Sequence, residues 1–138
     1  MTTVNTYLYF NGDCESAFNF YKAVFKKEFQ YLGRYKDVPE AARINFPNCT
    51  DEQIMHVALP ISKETVLLGA DIIEPNKKET KNNFSLFLST DNREEADRLF
   101  RALSKGGKIT LPLSDQFWGS YYGICLDRFG INWKISCS

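Results

Sequence analysis

Two stretches of the chain carry apolar residues at helical spacing. Ala17, Phe20, Tyr21, Val24 and Phe25 fall on one face of a helix, and Ala96, Leu99, Phe100 and Leu103 repeat the pattern. Asp13 is placed to cap the first helix. Asp91 and Glu94 give the second a capping-box start, and Gly106-Gly107 gives it a stop. Short strand-like runs flank each helix. In the first half they are Tyr7–Phe10, Glu28–Arg34, Ile54–Pro60 and Thr65–Ala70. In the second half they are Leu86–Ser89, Lys108–Leu113, Tyr121–Leu126 and Asn132–Ser136.

Shifted by 79 positions, the halves match each other. Glu15 meets Glu94, Ala17 meets Ala96, Ala23 meets Ala102 and Lys26 meets Lys105, while Tyr7–Phe10 meets Leu86–Ser89. The order strand-helix-strand-strand-strand, written twice, predicts an α+β fold. It consists of two βαβββ modules, residues 2–74 and 82–138, whose cupped, mostly antiparallel sheets would surround a shared cavity. An extra loop is expected around Asp37–Thr50, and a linker rich in Lys and Asn at Glu74–Asn83.

Composition narrows the functional classes. At 138 residues the chain suits one domain built from both modules. Seventeen Lys and Arg balance seventeen Asp and Glu, so no basic excess points to nucleic acid or an anionic membrane. No apolar run approaches the ~20 residues of a membrane span. Met1–Asn5 lacks the features of a signal peptide, and a cytoplasmic location is expected. Cys14, Cys49, Cys125 and Cys137 show no CxxC spacing, and free thiols are expected. Eleven Phe, seven Tyr and two Trp exceed what a core of this size needs and suggest an interface or a pocket.

Particular residues then point to a family. Tyr7-Leu8-Tyr9-Phe10-Asn11-Gly12, followed by Cys14, Ala17, Phe20-Tyr21 and Phe25, resembles the N-terminal signature of PhnB-like proteins. Met55-His56 and Leu67-Leu68-Gly69-Ala70-Asp71 resemble its middle strands. Gln116-Phe117-Trp118-Gly119, Tyr122-Gly123, Asp127-Arg128-Phe129-Gly130 and Trp133 resemble its C-terminal block. The resemblance implies the vicinal oxygen chelate superfamily, with paired βαβββ modules and a homodimer. Some such proteins carry the name 3-demethylubiquinone 3-methyltransferase, but the chain has no glycine-rich strand-turn-helix fingerprint to cradle a nucleotide-like cofactor, and none is expected.

Metal-dependent members of that superfamily hold a divalent ion with His and Glu from four strands. Counted from the turns, those positions fall at Thr6, Ser85 and Lys134, with a fourth somewhere in Thr65–Ala70. None is a hard ligand, and an ammonium repels a cation, so no metal is expected there. A divergent set of His56, Asp71 and Asp115 is the alternative, as is metal-free acid-base chemistry around His56. His56 is the only histidine; it reads either as a pocket group or as a hydrogen-bonded strand residue. Phe117-Trp118 reads either as a ligand wall or as a dimer contact. Arg128 is expected in solvent, and Cys125 and Cys137 in the core. The candidate ligand-binding residues are Tyr7, Tyr9, His56, Phe117, Trp118 and Tyr122, and the expected role is binding of a small organic molecule, with no cofactor.

Overall fold

Both predicted helices form, and each takes the strands expected of it. The computed structural model describes residues 2–45, 48–72 and 83–138. The first half contains β1 (Thr6–Phe10), α1 (Cys14–Phe25), β2 (Tyr31–Arg34), β3 (Ile54–Pro60) and β4 (Val66–Asp71). The second contains β5 (Leu86–Thr90), α2 (Arg93–Ser104), β6 (Lys108–Asp115), β7 (Tyr121–Leu126) and β8 (Asn132–Cys137). The chain divides into two compact units, Met1–Lys78 and Glu79–Ser138. Of the expected linker, only Asn83 falls among the described residues.

The two units share one topology. The first sheet runs β1-β4-β3-β2 and the second β5-β8-β7-β6. In each, the first and last strands pair in parallel and the other neighbours pair antiparallel, so each sheet is mixed. The α+β fold of two βαβββ modules is therefore as the sequence predicts. Several boundaries differ. β2 is shorter than Glu28–Arg34, and β6 continues through Ser114 and Asp115, which the sequence assigns to a loop. Pro112 sits at a register irregularity of β6, an edge strand, where a missing N–H breaks no central ladder. The loop after β2 holds two short 3-10 turns, Tyr35–Asp37 and Glu40–Asn45.

Register decides which face each side chain takes. Leu8 pairs with Gly69, which pairs with Val57; Leu88 pairs with Ile135, which pairs with Gly123. These residues face the helices. A Cβ on Gly69 would enter the Phe18 ring of α1, and a Cβ on Gly123 would lie 2.8 Å from the Phe100 ring of α2. The helix-facing layers form the cores: Leu8, Phe18, Tyr21, Val57 and Leu59 in one unit, Leu103, Cys125, Trp133 and Ile135 in the other.

That register corrects the internal alignment. Cys14 starts α1 and Arg93 starts α2, 79 residues on, but Thr6 starts β1 and Leu86 starts β5, 80 residues on. The turn Asn11–Asp13 has one residue more than Asp91-Asn92, and Gly12 in it takes a positive φ of 92°. Tyr7-Leu8-Tyr9-Phe10 therefore corresponds to Phe87-Leu88-Ser89-Thr90. A strand slipped by one residue shows its other face, so the offset of 79 inverts the strand while serving the helix.

The helix starts differ from expectation as well. α2 begins one residue later than Asp91 implies: Asn92 is the cap, and its side chain accepts from the Glu95 N–H at 2.8 Å. Asp13 is at the cap position of α1, but its side chain makes no capping bond. Asp71 at the end of β4 does that work, accepting from Cys14 N–H at 3.0 Å and from Ile54 N–H at 2.9 Å. The α1 stripe also turns further than predicted, burying Cys14 and Phe18 beside Ala17, Tyr21 and Val24 while Phe20 is half-buried.

Candidate functional site

On the face of the first sheet away from α1, alternation puts Tyr7 and Tyr9 side by side on β1. Their rings lie 5.1 Å apart. His56 on β3 shares this face with Ala58, as its strand pattern predicts. The Tyr7 hydroxyl lies 3.0 Å from His56 Nδ1, and the two rings are 5.7 Å apart. Burial, more than the charge of any neighbour, pushes the Tyr7 phenol above its ordinary value, so it keeps its proton at neutral pH. Tyr31 on β2 flanks the imidazole from the other side at 5.9 Å. It lies across Gly33, where a Cβ would collide with its ring. Gly33 pairs with His56, so its missing side chain makes room for the ring beside the imidazole. Leu68, paired with Tyr7, and Ala70, paired with Tyr9, lie on the same face.

Three of the six candidate residues, Tyr7, Tyr9 and His56, thus form one ring group. The sequence missed its fourth member, Tyr31. The signal was present in Tyr31-Leu32-Gly33, where period two places the ring beside a glycine, but only the pairing with β3 shows what it touches. Tyr31 is 49% exposed, Tyr9 65% and Tyr7 37%, so the group is open to a ligand.

The other three candidates form a second group in the second unit. Gln116–Ser120 links β6 to β7, closed by the Gln116 N–H donating to the Ser120 carbonyl at 2.8 Å, and Gly119 has φ 100°. Phe117 and Trp118 pack edge to face at 5.1 Å, and Trp118 meets Tyr122 of β7 at 5.5 Å. Phe117 is 97% exposed. Counting from Val57 and Gly123, His56 and Tyr122 occupy equivalent positions of the two sheets.

Other singled-out residues serve structure. Asp127 is buried; Oδ1 accepts from the N–H groups of Phe129 and Ile131, and Oδ2 accepts from Trp133 Nε1 at 2.8 Å. Arg128 is exposed, yet its guanidinium donates to the Lys105 carbonyl at the end of α2 and so is not free in solvent. Cys125 and Cys137 are buried as expected, and burial pushes the Cys125 thiol up to about 11. Of the divergent ligand set, Asp71 is buried on two backbone N–H groups and Asp115 is ion-paired with Arg93.

Residues 2–136 match the family model described as 3-demethylubiquinone-9 3-methyltransferase. The chain belongs to this PhnB-like family. The crystal structure of protein PA1353 from Pseudomonas aeruginosa is 31% identical with a TM-score of 0.85 over 100% of this chain and 98% of that one. The PhnB protein from Bacillus cereus has a TM-score of 0.81 at 22% identity, over 99% of this chain and 100% of that one. A glyoxalase/bleomycin resistance protein/dioxygenase family enzyme from Burkholderia phytofirmans has a TM-score of 0.63 at 15% identity, over 97% and 98%. The last two share the fold.

That fold raises the question of a metal. The carried-over position Thr6 has the parity of Leu8 and Phe10 and so belongs to the helix side of β1; the open-face position beside it is Tyr7. In the second unit, Lys134 is on the open face, paired with Phe87, and Ser85 precedes β5. The open-face pairs on these strands are thus Tyr7 with Leu68 and Phe87 with Lys134, a set without imidazole or carboxylate. Among the described residues no three His, Cys, Asp or Glu side chains gather where they could hold an ion.

Proposed function

We propose that this PhnB-like chain is a homodimeric protein that binds a small organic molecule without a metal, with Tyr7, Tyr9 and His56 as the candidate binding group of the first unit and Phe117, Trp118 and Tyr122 as that of the second. The observation that carries the reading is the ring group around His56. With the Tyr7 hydroxyl donating to Nδ1, the ring N–H left for a ligand is the one on Nε2. His56 then offers one N–H between the flat faces of tyrosines. Such a group suits a planar ligand held by stacking and by one acceptor atom, a carbonyl or a carboxylate oxygen. The donor set at the superfamily's metal positions supports the metal-free part of the reading, since neither Leu68 nor an ammonium ligates a divalent ion. The aromatic surplus supports the dimer: eleven Phe, seven Tyr and two Trp are more than two small cores need, and rings are enriched at interfaces.

Three measurements test it. Elemental analysis of protein purified without chelator should find no stoichiometric Zn, Ni, Fe or Mn; about one ion per chain would overturn the metal-free reading. Sedimentation at micromolar concentration should give a dimer, and a monomer would refute that part. For a ligand found by screening, Trp118→Ala should weaken binding by about 1–3 kcal/mol while leaving the dimer intact. A dimer that dissociates with ligand affinity unchanged would assign Trp118 to the interface instead.

A further inference from the structure

We infer that the second unit carries a site of its own for an organic oxyanion, a carboxylate or phosphoryl group attached to a flat apolar body, with Lys134 as the charged anchor. The residues are Asn83, Phe84, Ser85, Phe87, Asn132 and Lys134, which line a hollow of about 420 Å³. That volume is in the range of small-ligand clefts, about 300–1,000 Å³. The sheet explains the arrangement. Lys134 pairs with Phe87 on one side and with Ile124 on the other, and Asn132 lies two residues away, so all four side chains take the open face. Lys134 is half-buried, and none of the lining residues bears a carboxylate to neutralise it. The amides of Asn83 and Asn132 and the Ser85 hydroxyl add donors around the ammonium. Phe84 and Phe87, 54% and 59% exposed, offer rings at the rim.

The charge that makes this hollow unfit for a cation makes it fit an anion. A lone oxyanion in water gains little from one ammonium, but one attached to a ring gains the apolar contact as well. The equivalent of Lys134 in the first unit is Leu68, so the first sheet has no charge at that position. This residue set shares no member with the ring group of Tyr7 and His56, and either reading can fail without the other.

The test is a titration of benzoate into the full chain, followed by amide chemical shifts, with acetate and benzamide as the charge-only and ring-only probes. Benzoate should saturate, with the largest shifts at Phe87, Asn132 and Lys134. Lys134→Met should weaken it at least about tenfold, the size of one charge-assisted hydrogen bond, and Lys134→Arg should keep most of the affinity. Acetate and benzamide should each bind more weakly than benzoate. Lys134→Gln serves as a second neutral variant should the Met protein fold poorly. The inference is overturned if benzoate does not saturate, if its shifts centre on Tyr7 and His56, or if both neutral variants bind it as well as the parent.

Discussion

The two units place different chemistry on equivalent positions of the same sheet. On the open face the first carries Tyr7, Leu68, His56 and Ala70; the second carries Phe87, Lys134, Tyr122 and Ser136 in their places. Toward the helix the exchange is steric. The first unit has Val57 on its third strand and Gly69 on its fourth, and the second has Gly123 and Ile135. Each glycine admits an aromatic ring from its own helix, Phe18 or Phe100, while the partner strand supplies the branched side chain. A duplicated fold thus keeps the volume of its core layer while moving the bulk from one strand to the next, and its solvent face is free to diverge.

The sharpest way to break the comparison is at the end of the fourth strand. Asp71 holds the backbone of α1 and β3, and its counterpart in the second unit is Cys137. Asp71→Ala leaves two N–H groups without their acceptor and should cost about 2–5 kcal/mol. Cys137→Ala should cost about 1 kcal/mol. Urea unfolding followed by far-UV circular dichroism measures both. Trp118 and Trp133 both belong to the second unit, so tryptophan fluorescence follows that unit. Equal losses for the two variants would refute the assignment of Asp71 as the clasp.

Next in size is the steric exchange. Gly69→Ala should cost about 1–3 kcal/mol by overpacking against Phe18. Adding Phe18→Leu should recover part of that loss in a double-mutant cycle, because the obstacle is a side chain. Gly123→Ala should not be rescued by Phe100→Leu, because the new Cβ would also lie 2.8 Å from the Leu113 Cα.

The smallest effects concern how each helix is tied to its sheet. In the first unit Arg34 of β2 grips Glu15 of α1 through two hydrogen bonds of 3.0 and 2.5 Å. The Arg34 hydrogen bond holds the Glu15 carboxyl below its ordinary value. In the second unit Tyr121 donates to Asp97 of α2, which raises the Tyr121 phenol. A lowered carboxyl contributes stability that is present above its unfolded value and lost as pH falls through the folded one. A raised phenol contributes stability that is present below its unfolded value, about 10, and lost as pH rises through the folded one. Glu15→Gln should therefore cost about 0.2–1 kcal/mol at neutral pH, with the difference from the parent vanishing on the acid side. The difference for Tyr121→Phe should vanish on the alkaline side. Unfolding midpoints across pH decide it, and losses on the same side for both variants would overturn the scheme.

How much of this was legible in the sequence depends on the range of the interaction. The buried stripe of α2 is legible residue for residue, since Ala96, Leu99, Phe100 and Leu103 obey a local period, while its cap lies one residue beyond the expected Asp91. β3 and β7 were bounded correctly by their alternation and their turns. The cap of α1 was not legible, because its acceptor lies 57 residues away on Asp71. Nor was the face of Thr6, which depends on a turn length that no periodicity reports. Tyr7 and Tyr9 were grouped from strand parity, whereas Tyr31 and Lys134 acquire their meaning only from the strands beside them.

The extra residue of the Asn11–Asp13 turn lies where it alters neither neighbour. It behaves as an expansion joint: chain length changes there, and the helix and the strand on either side keep their orientations. Insertions within β1 would instead exchange its tyrosines for its core residues. The joint is thus the place where one copy of a duplicated module could drift in length while both copies stayed foldable.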